Sequence, residues 1–308
     1  MPRILERGQI EASAAGTVPA VLLPVPRSLF AARAARLAAL AAQHDALGGY
    51  VGFAAALARA QADVVEGWTA PPIEPEAVAT ALAHGMPPLP AQGWPRGAPW
   101  RTAVRRIAAA LGAPDGSFPP AVAEVCRRLA AAGDAVLEAT ADRLLAAPGT
   151  DVDPAAAPIV MAALQVYWAM LAAGLEPQAI APSEHAGVCP VCGSAPVASV
   201  VKGPAPLAGY RYLHCGLCST EWHRVRVECT QCGGSKGVAY HSIDGGSAAV
   251  RAETCDECHG YRKIFYQEHD AAVEPLADDL ASVSLDLLLA EAGFHRLSAN
   301  PLLWQAGS

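Results

Sequence analysis

Hydrophobic positions over residues 1–180 recur at helical spacing. Leu29, Phe30, Leu37 and Leu40 share one face of a helix predicted to start at an N-cap Ser28 and to run to about His44. After the Gly48-Gly49 break, Tyr50, Phe53, Leu57, Gln61 and Val64 repeat the period. Residues 1–27, ending in Pro24-Val25-Pro26, read as an irregular lead-in, and the Pro- and Gly-rich segment 85–99 as a loop. Pro99 suits the first turn of a helix through Leu111 that Gly112 closes, and helices over 121–132, 134–146 and 159–173 complete a set of about six.

Beyond Pro177 the texture changes. Turn residues multiply, and short alternating segments predict strands over Val197–Val201, Tyr210–His214, Glu221–Val227, Gly237–Ile243 and Tyr261–Gln267. From about Ala271 the pattern is helical again. Glu274-Pro275 opens this last helix, Leu276, Leu280, Val283, Leu287 and Ala290 form its stripe, and Gly293 ends it. The expected fold class is therefore α+β: an all-helical domain over 1–180, tandem ribbon modules over 185–269 (185–228 and 229–269), and a C-terminal helix within 270–308 that packs on the helical domain.

Composition narrows the functional classes. The formal charge of −7 divides into −2 over residues 1–180 (13 Arg, 15 acidic) and −5 over 181–308 (9 basic, 14 acidic). Neither half is the cationic surface that nucleic acid needs. The N-terminal Met1-Pro2-Arg3-Ile4-Leu5-Glu6-Arg7 lacks the apolar run of a signal peptide. One uncharged stretch, 155–175, is long enough to suggest a membrane span. However, it is rich in Ala, carries Pro158 and Gln165, and is flanked by Asp151, Asp153 and Glu176 without basic or aromatic anchors, so a buried central helix is expected. The predicted location is cytoplasmic, without membrane insertion.

Eight of the nine cysteines form four Cys-x-x-Cys pairs: Cys189/Cys192, Cys215/Cys218, Cys229/Cys232 and Cys255/Cys258. Sliding the sequence so that Cys189 falls on Cys229 lays the first two pairs on the last two, and also Gly193 on Gly233 and Arg211 on Arg251. Such an internal repeat predicts one site per repeat, each closed by its own four cysteines. In a Cys-x-x-Cys turn both sulfurs face inward and nearby backbone N–H groups can offset thiolate charge, while Gly193 and Gly233 permit the tight turn. Two knuckles joined by a hairpin make a tetrahedral S4 shell, which suits zinc or a single iron. Two metal ions per chain are expected.

The competing uses of these residues are weaker. A Cys-x-x-Cys disulfide closes almost no loop, and a signal-less chain disfavours disulfides. A thioredoxin-like motif calls for one pair beside a βαβ unit, not four in register. His214 and His259 adjoin ligand cysteines and could replace a sulfur, although four thiols already complete each shell. Trp222 is expected to fill the ribbon core, Cys126 to be an inert thiol on a helix face with Val122, Val125 and Leu129, and His84 has no visible partner in the sequence. No nucleotide loop, nucleophile elbow or His-Glu-x-x-His motif occurs, and a closed S4 shell offers no position for substrate, so no catalytic or cofactor-binding residue is assigned.

The run Arg211-Tyr-Leu-His-Cys-Gly-Leu-Cys-Ser-Thr-Glu-Trp-His-Arg-Val-Arg-Val-Glu-Cys229 resembles the formate dehydrogenase accessory protein family, FdhE. So do Ala252-Glu-Thr-Cys-Asp-Glu-Cys-His-Gly-Tyr261, Ala277-Asp-Asp-Leu-Ala-Ser282, His84-Gly-Met-Pro-Pro-Leu89 and Ala163-Leu-Gln-Val-Tyr-Trp168. The resemblance spans nearly the whole chain and is least distinct over residues 1–60. It implies a non-enzymatic, cytoplasmic maturation factor with rubredoxin-like iron sites. Its partner would be the catalytic subunit of a respiratory molybdenum- or tungsten-dependent formate dehydrogenase, met before export by the twin-arginine route. Two other classes compete. A zinc-ribbon nucleic-acid-binding protein is disfavoured by the eight basic and seven acidic residues of 185–269, which are too balanced to track phosphates. A rubredoxin-like electron carrier would explain the sites but not the helical region 1–180.

Overall fold

The computed structural model describes residues 18–43, 47–69, 71–113, 118–146, 152–181 and 185–303. The expected helix end near His44 and residues 1–17 of the lead-in lie outside them. The chain order is β1 (Val21–Leu22), α1 (Pro26–Ala41), α2 (Gly48–Glu66), α3 (Pro75–Ala83), α4 (Ala98–Leu111), α5 (Pro120–Ala131), α6 (Asp134–Ala146) and α7 (Ala157–Ala172). Then follow β2 (Pro196–Val201), β3 (Arg211–Cys215), β4 (Glu221–Arg224), β5 (Val238–His241), β6 (Val250–Cys255), β7 (Gly260–Tyr266), α8 (Pro275–Ala281), α9 (Val283–Glu291) and β8 (His295–Arg296). A helical N-terminal region thus precedes a mixed sheet and two four-cysteine clusters, the α+β class expected.

Several boundaries differ from the sequence expectation, each for a physical reason. The lead-in contributes a strand: Val21 and Leu22 pair antiparallel with Trp222 and Glu221, and Val21 is buried. Helix α1 begins two residues before Ser28, because Pro26 supplies the first-turn φ and Val25 is the extended N-cap. Ser28 lies inside that first turn, with its hydroxyl donating to the Val25 carbonyl. Seven helices, not six, lie among the described residues before 180. The additional one, α3, has no fully buried residue, and its short apolar side, Val78, Ala81 and Leu82, is only half-buried. The expected single C-terminal helix is two. Lys263 Nζ donates to the carbonyls of Asp279 and Ser282, and the Ser282 hydroxyl donates back to Asp278. These contacts satisfy the end of α8 where a continuous helix would have spent its carbonyls internally. The stripe shifts accordingly: Leu285 and Leu289 are buried while Leu287 is exposed.

Helix α7 is the axis of the core. Nearly every residue in it is buried, as expected for a central helix, and no helix among the described residues is long and apolar enough to cross a membrane. Its polar side chains are tied into the surrounding structure. Gln61 donates to Gln165 and to the Ala162 carbonyl, Gln165 donates to the Gly216 carbonyl, and the Trp168 indole donates to the Leu89 carbonyl. Inside a core each such group would otherwise cost about 1–3 kcal/mol. These bonds also tie the helical region to the ribbon region.

The two repeats do not stand apart as separate ribbons. Each contributes three strands to one sheet of order β1-β4-β3-β2-β7-β6-β5, with β8 pairing β7. The seam is the parallel pair β2–β7, with Ser199, Val200 and Val201 opposite Ile264, Phe265 and Tyr266. Both seam strands are buried along their whole length, as central strands covered on two faces are. Arg262 fastens the seam further, donating to Thr230, Ser298 and the Pro196 carbonyl. Trp222 is buried in the main core, not in a separate ribbon core, and its indole donates to the Ala186 carbonyl. Helix α8 packs on α1, where Arg33 meets Glu274 and Arg36 meets Asp278. Helix α9 covers β6 and β7 through Leu285 and Leu289.

Candidate metal centres

Each repeat brings its four cysteines together. Cys189, Cys192, Cys215 and Cys218 form one cluster and Cys229, Cys232, Cys255 and Cys258 the other, with all sulfurs of a cluster within 4.8 Å of one another. The first knuckle of each repeat precedes a hairpin and the second knuckle lies at the hairpin's far turn. Gly193 and Gly233 close the first knuckles at φ 76° and 74°, and their N–H groups donate to the Cys189 and Cys229 carbonyls. The second knuckles make the same turn without glycine, at Ser219 (φ 58°) and His259 (φ 52°), residues that the repeat superposes. Strain of this kind persists only where the surroundings over-determine it.

Sulfur spacing is the test of fit. The pairs Cys189–Cys218 and Cys192–Cys215 lie at 3.6 and 3.4 Å, and Cys229–Cys258 and Cys232–Cys255 at 3.6 and 3.7 Å. A tetrahedral shell with metal–sulfur bonds of about 2.3 Å places sulfurs about 3.8 Å apart. Backbone N–H groups already face the sulfurs, from Leu217 to Cys215 and from Gln231 to Cys229. Burial pushes the thiols of Cys189 and Cys218 well above their ordinary pKa, and at Cys189 the neighbouring cysteines add to the effect. Four thiolates in that enclosure call for a compensating cation. The donor set fits a divalent zinc or iron.

Neither candidate histidine enters a cluster. His214 turns its Nδ1 to Glu221 at 3.2 Å, and the His259 ring faces Phe294. Lys202 and His214 hold the Glu221 carboxyl at a pKa of about 2 against the opposing pull of its burial. Cys126 is buried away from both clusters, and burial raises its pKa. His84 is exposed at the end of α3.

The loop that follows His84 has a role the residue types alone did not disclose. Leu89 is fully buried, its N–H donates to the Val191 carbonyl, and the Ala91 N–H donates to the Cys192 carbonyl. The segment 85–91 therefore pairs with the first knuckle and covers it. The Ala277–Ser282 run is likewise positional. Asp278 holds Arg36, and Asp279 holds Arg296 and Asn300 with Lys263 nearby.

The comparisons with known proteins agree over nearly the whole chain. Family models match in three consecutive pieces: FdhE N-terminal over 18–185, FdhE central domain over 188–226, and FdhE C-terminal domain over 227–303. The chain belongs to the FdhE family. It is 41% identical to Protein FdhE of Escherichia coli K12 over 97% of this chain and 96% of the relative. It is also 41% identical to a Protein FdhE homolog of Cronobacter sakazakii over 98% and 97%. The crystal structure of the FdhE protein from Pseudomonas aeruginosa superposes with a TM-score of 0.82 at 38% identity, covering 94% of this chain and all of that one. The boundary between the central and C-terminal FdhE models, at 226/227, falls between the two four-cysteine clusters.

Proposed function

We infer that the chain is an accessory protein for the maturation of a respiratory formate dehydrogenase. It binds the catalytic subunit in the cytoplasm before export. The eight clustered cysteines hold two metal ions, rubredoxin-type iron in the native state. The observation that carries this role is the match to FdhE over the full described length with both four-cysteine clusters assembled. When bound, a single iron in an S4 shell supplies one-electron chemistry that zinc lacks. The chain's own part is to supply four sulfurs per shell and to cover them. Four thiolates complete each shell and leave no position for substrate, which favours a binding and maturation role over hydrolytic or formate-oxidising catalysis.

The test is genetic and biochemical together. In a strain lacking this chain, the catalytic polypeptide of formate dehydrogenase is expected in near-normal amount but without activity. Tagged protein purified without oxygen is expected to bring down that polypeptide and to carry two metals. Full formate dehydrogenase activity in the deletion strain, with no paralogue present, would end the maturation role.

A further inference from the structure

We propose that the two clusters divide their labour. The second is the exchange site, where Cys232 yields its place to a soft sulfur donor from outside, and the first is a closed structural anchor. This rests on the maturation role in one respect only, that the outside donor belongs to a bound protein.

The two sites, built from one repeated unit, are covered unequally. In the first, Cys189, Cys215 and Cys218 show no exposure and Cys192 only 1%. The loop 85–91 lies on its first knuckle, Gln165 of α7 holds the Gly216 carbonyl of its second, and Leu217 is part of the main core. A cleft of about 550 Å³ passes beside it, lined by Cys192, Gly216 and Asn300 among others. The near-zero exposure of the four cysteines keeps the sulfurs beneath that surface. In the second cluster, Cys229 and Cys255 are buried, but Cys232 is exposed and Cys258 half-buried. What covers it is thin: Leu297 against Gly260, and the His295 N–H donating to the His259 carbonyl.

The residues inside the knuckles follow the same division. Pro190-Val191 and Gly216-Leu217 in the first site correspond to Thr230-Gln231 and Asp256-Glu257 in the second. Where Leu217 plugs into the core, its counterpart Glu257 places a carboxylate oxygen 3.9 Å from Cys232 Sγ. Duplication made the sites alike in spacing, and packing made them unlike in access.

Exchange at Cys232 balances without a redox partner. A thiol approaches the exposed side, its sulfur takes the position Cys232 leaves, and its proton passes to Cys232, so no electron moves. Cys229, Cys255 and Cys258 keep their places throughout.

Full-length protein loaded with two zinc ions tests this directly. The chromogenic chelator 4-(2-pyridylazo)resorcinol is expected to take one zinc at least about tenfold faster than the other, a gap of about 1.4 kcal/mol in access. Limited iodoacetamide, read by peptide mass mapping, is expected to label Cys232 first and the four cysteines of the first site last. In Cys232→Ser the fast phase disappears and the slow one stays. Equal release rates, or first labelling at Cys192 or Cys215, would overturn the division. No formate dehydrogenase enters these measurements. Unequal release with no binding of the catalytic subunit breaks the maturation role alone, and equal release with binding intact breaks this proposal alone.

Discussion

The first and second four-cysteine repeats share spacing, knuckle turns and hairpin order, yet they occupy opposite situations in the molecule. The first is packed between α7, the loop 85–91 and the seam strands, so its cysteines count among the main core beside Trp168 and Trp222. The second sits at the outer part of the sheet, whose last strand β5 has no buried residue. One is therefore part of what holds the helical and ribbon regions together, while the other is a module attached along one side. A duplicated unit can keep its chemistry and still diverge in purpose, because access to a metal is decided by neighbours and not by ligand spacing.

The sharpest way to break the comparison is to remove one ligand from each site. Metal binding supplies about 10–16 kcal/mol of apparent folding free energy to small zinc modules, as much as the about 5–15 kcal/mol that holds a whole domain folded. Cys192→Ser leaves an incomplete, buried thiolate cluster inside the main core. It is expected to abolish cooperative thermal unfolding by far-ultraviolet circular dichroism and to lower the metal count. Cys232→Ser removes an exposed ligand and is expected to keep the helical transition while weakening only the second metal. If both variants unfold alike, the two sites carry equal structural weight and the contrast fails.

Much of this arrangement is legible in the residues, and the missing parts have physical reasons. The eight cysteines and their grouping can be read because a tetrahedral shell demands a fixed donor set at fixed spacing. The buried helices can be read where they carry an apolar stripe, as α1, α2 and α4 do, or an uncharged apolar run, as α7 does. Helix α3 has only nine residues, so its half-buried Val78, Ala81 and Leu82 make less than two turns of stripe beside a Pro-rich segment. The seam between β2 and β7 sets Ser199 beside Ile264, from the other repeat, in parallel, and such distant pairing has no local signature. The break between α8 and α9 depends on Lys263 reaching from another strand to the Asp279 and Ser282 carbonyls. The unequal burial of the two sites does have a signal, in the apolar Pro190-Val191 and Gly216-Leu217 against the polar Thr230-Gln231 and Asp256-Glu257.

A second variant asks whether Cys232 is exposed because its module is loosely attached. Lys263 on β7 is fully buried and pairs with Asp286 at 2.7 Å and Asp279 at 3.5 Å. Removing one partner of a buried pair leaves an uncompensated charge and costs about 3–5 kcal/mol. Lys263→Met is expected to lower stability by that amount in urea titration while both metals stay bound in the native state. Loss of the second metal in native Lys263→Met would mean that the ion pair, and not the cover alone, governs access.

Farther from both sites the effects shrink. Cys126 is buried against the end of α4, where a Cβ on Gly112 would meet its own at 2.9 Å. Cys126→Ser buries a hydroxyl in that space and is expected to cost about 1–3 kcal/mol. Two metals should remain by elemental analysis. A lower count would place Cys126 among the ligands and undo the assignment of four sulfurs to each repeat.

The smallest expected effect is at Asp153, before the central helix α7. Its side chain accepts from the Ala155 N–H at 2.9 Å and meets Arg128, while its carbonyl accepts from Ala156 and Ala157. Partial burial works against its charge, but Arg128 and the Ala155 and Ala156 N–H groups prevail and hold its carboxyl below the ordinary value. A carboxyl depressed in the folded state adds stability above its unfolded pKa, and that contribution is lost as pH falls through the folded one. Asp153→Ala is expected to cost about 1 kcal/mol at neutral pH, from the loss of one turn hydrogen bond and a largely exposed ion pair with Arg128. The gap between wild type and variant should narrow once pH drops below about 4. Because both proteins lose metal to acid alike, the difference between them isolates the carboxyl. Chelator release at neutral pH should show the same fast and slow phases in Asp153→Ala as in the wild type. A change confined to the slow phase would instead show that the start of α7 controls access to the first site, extending its closed shell to the far end of the central helix.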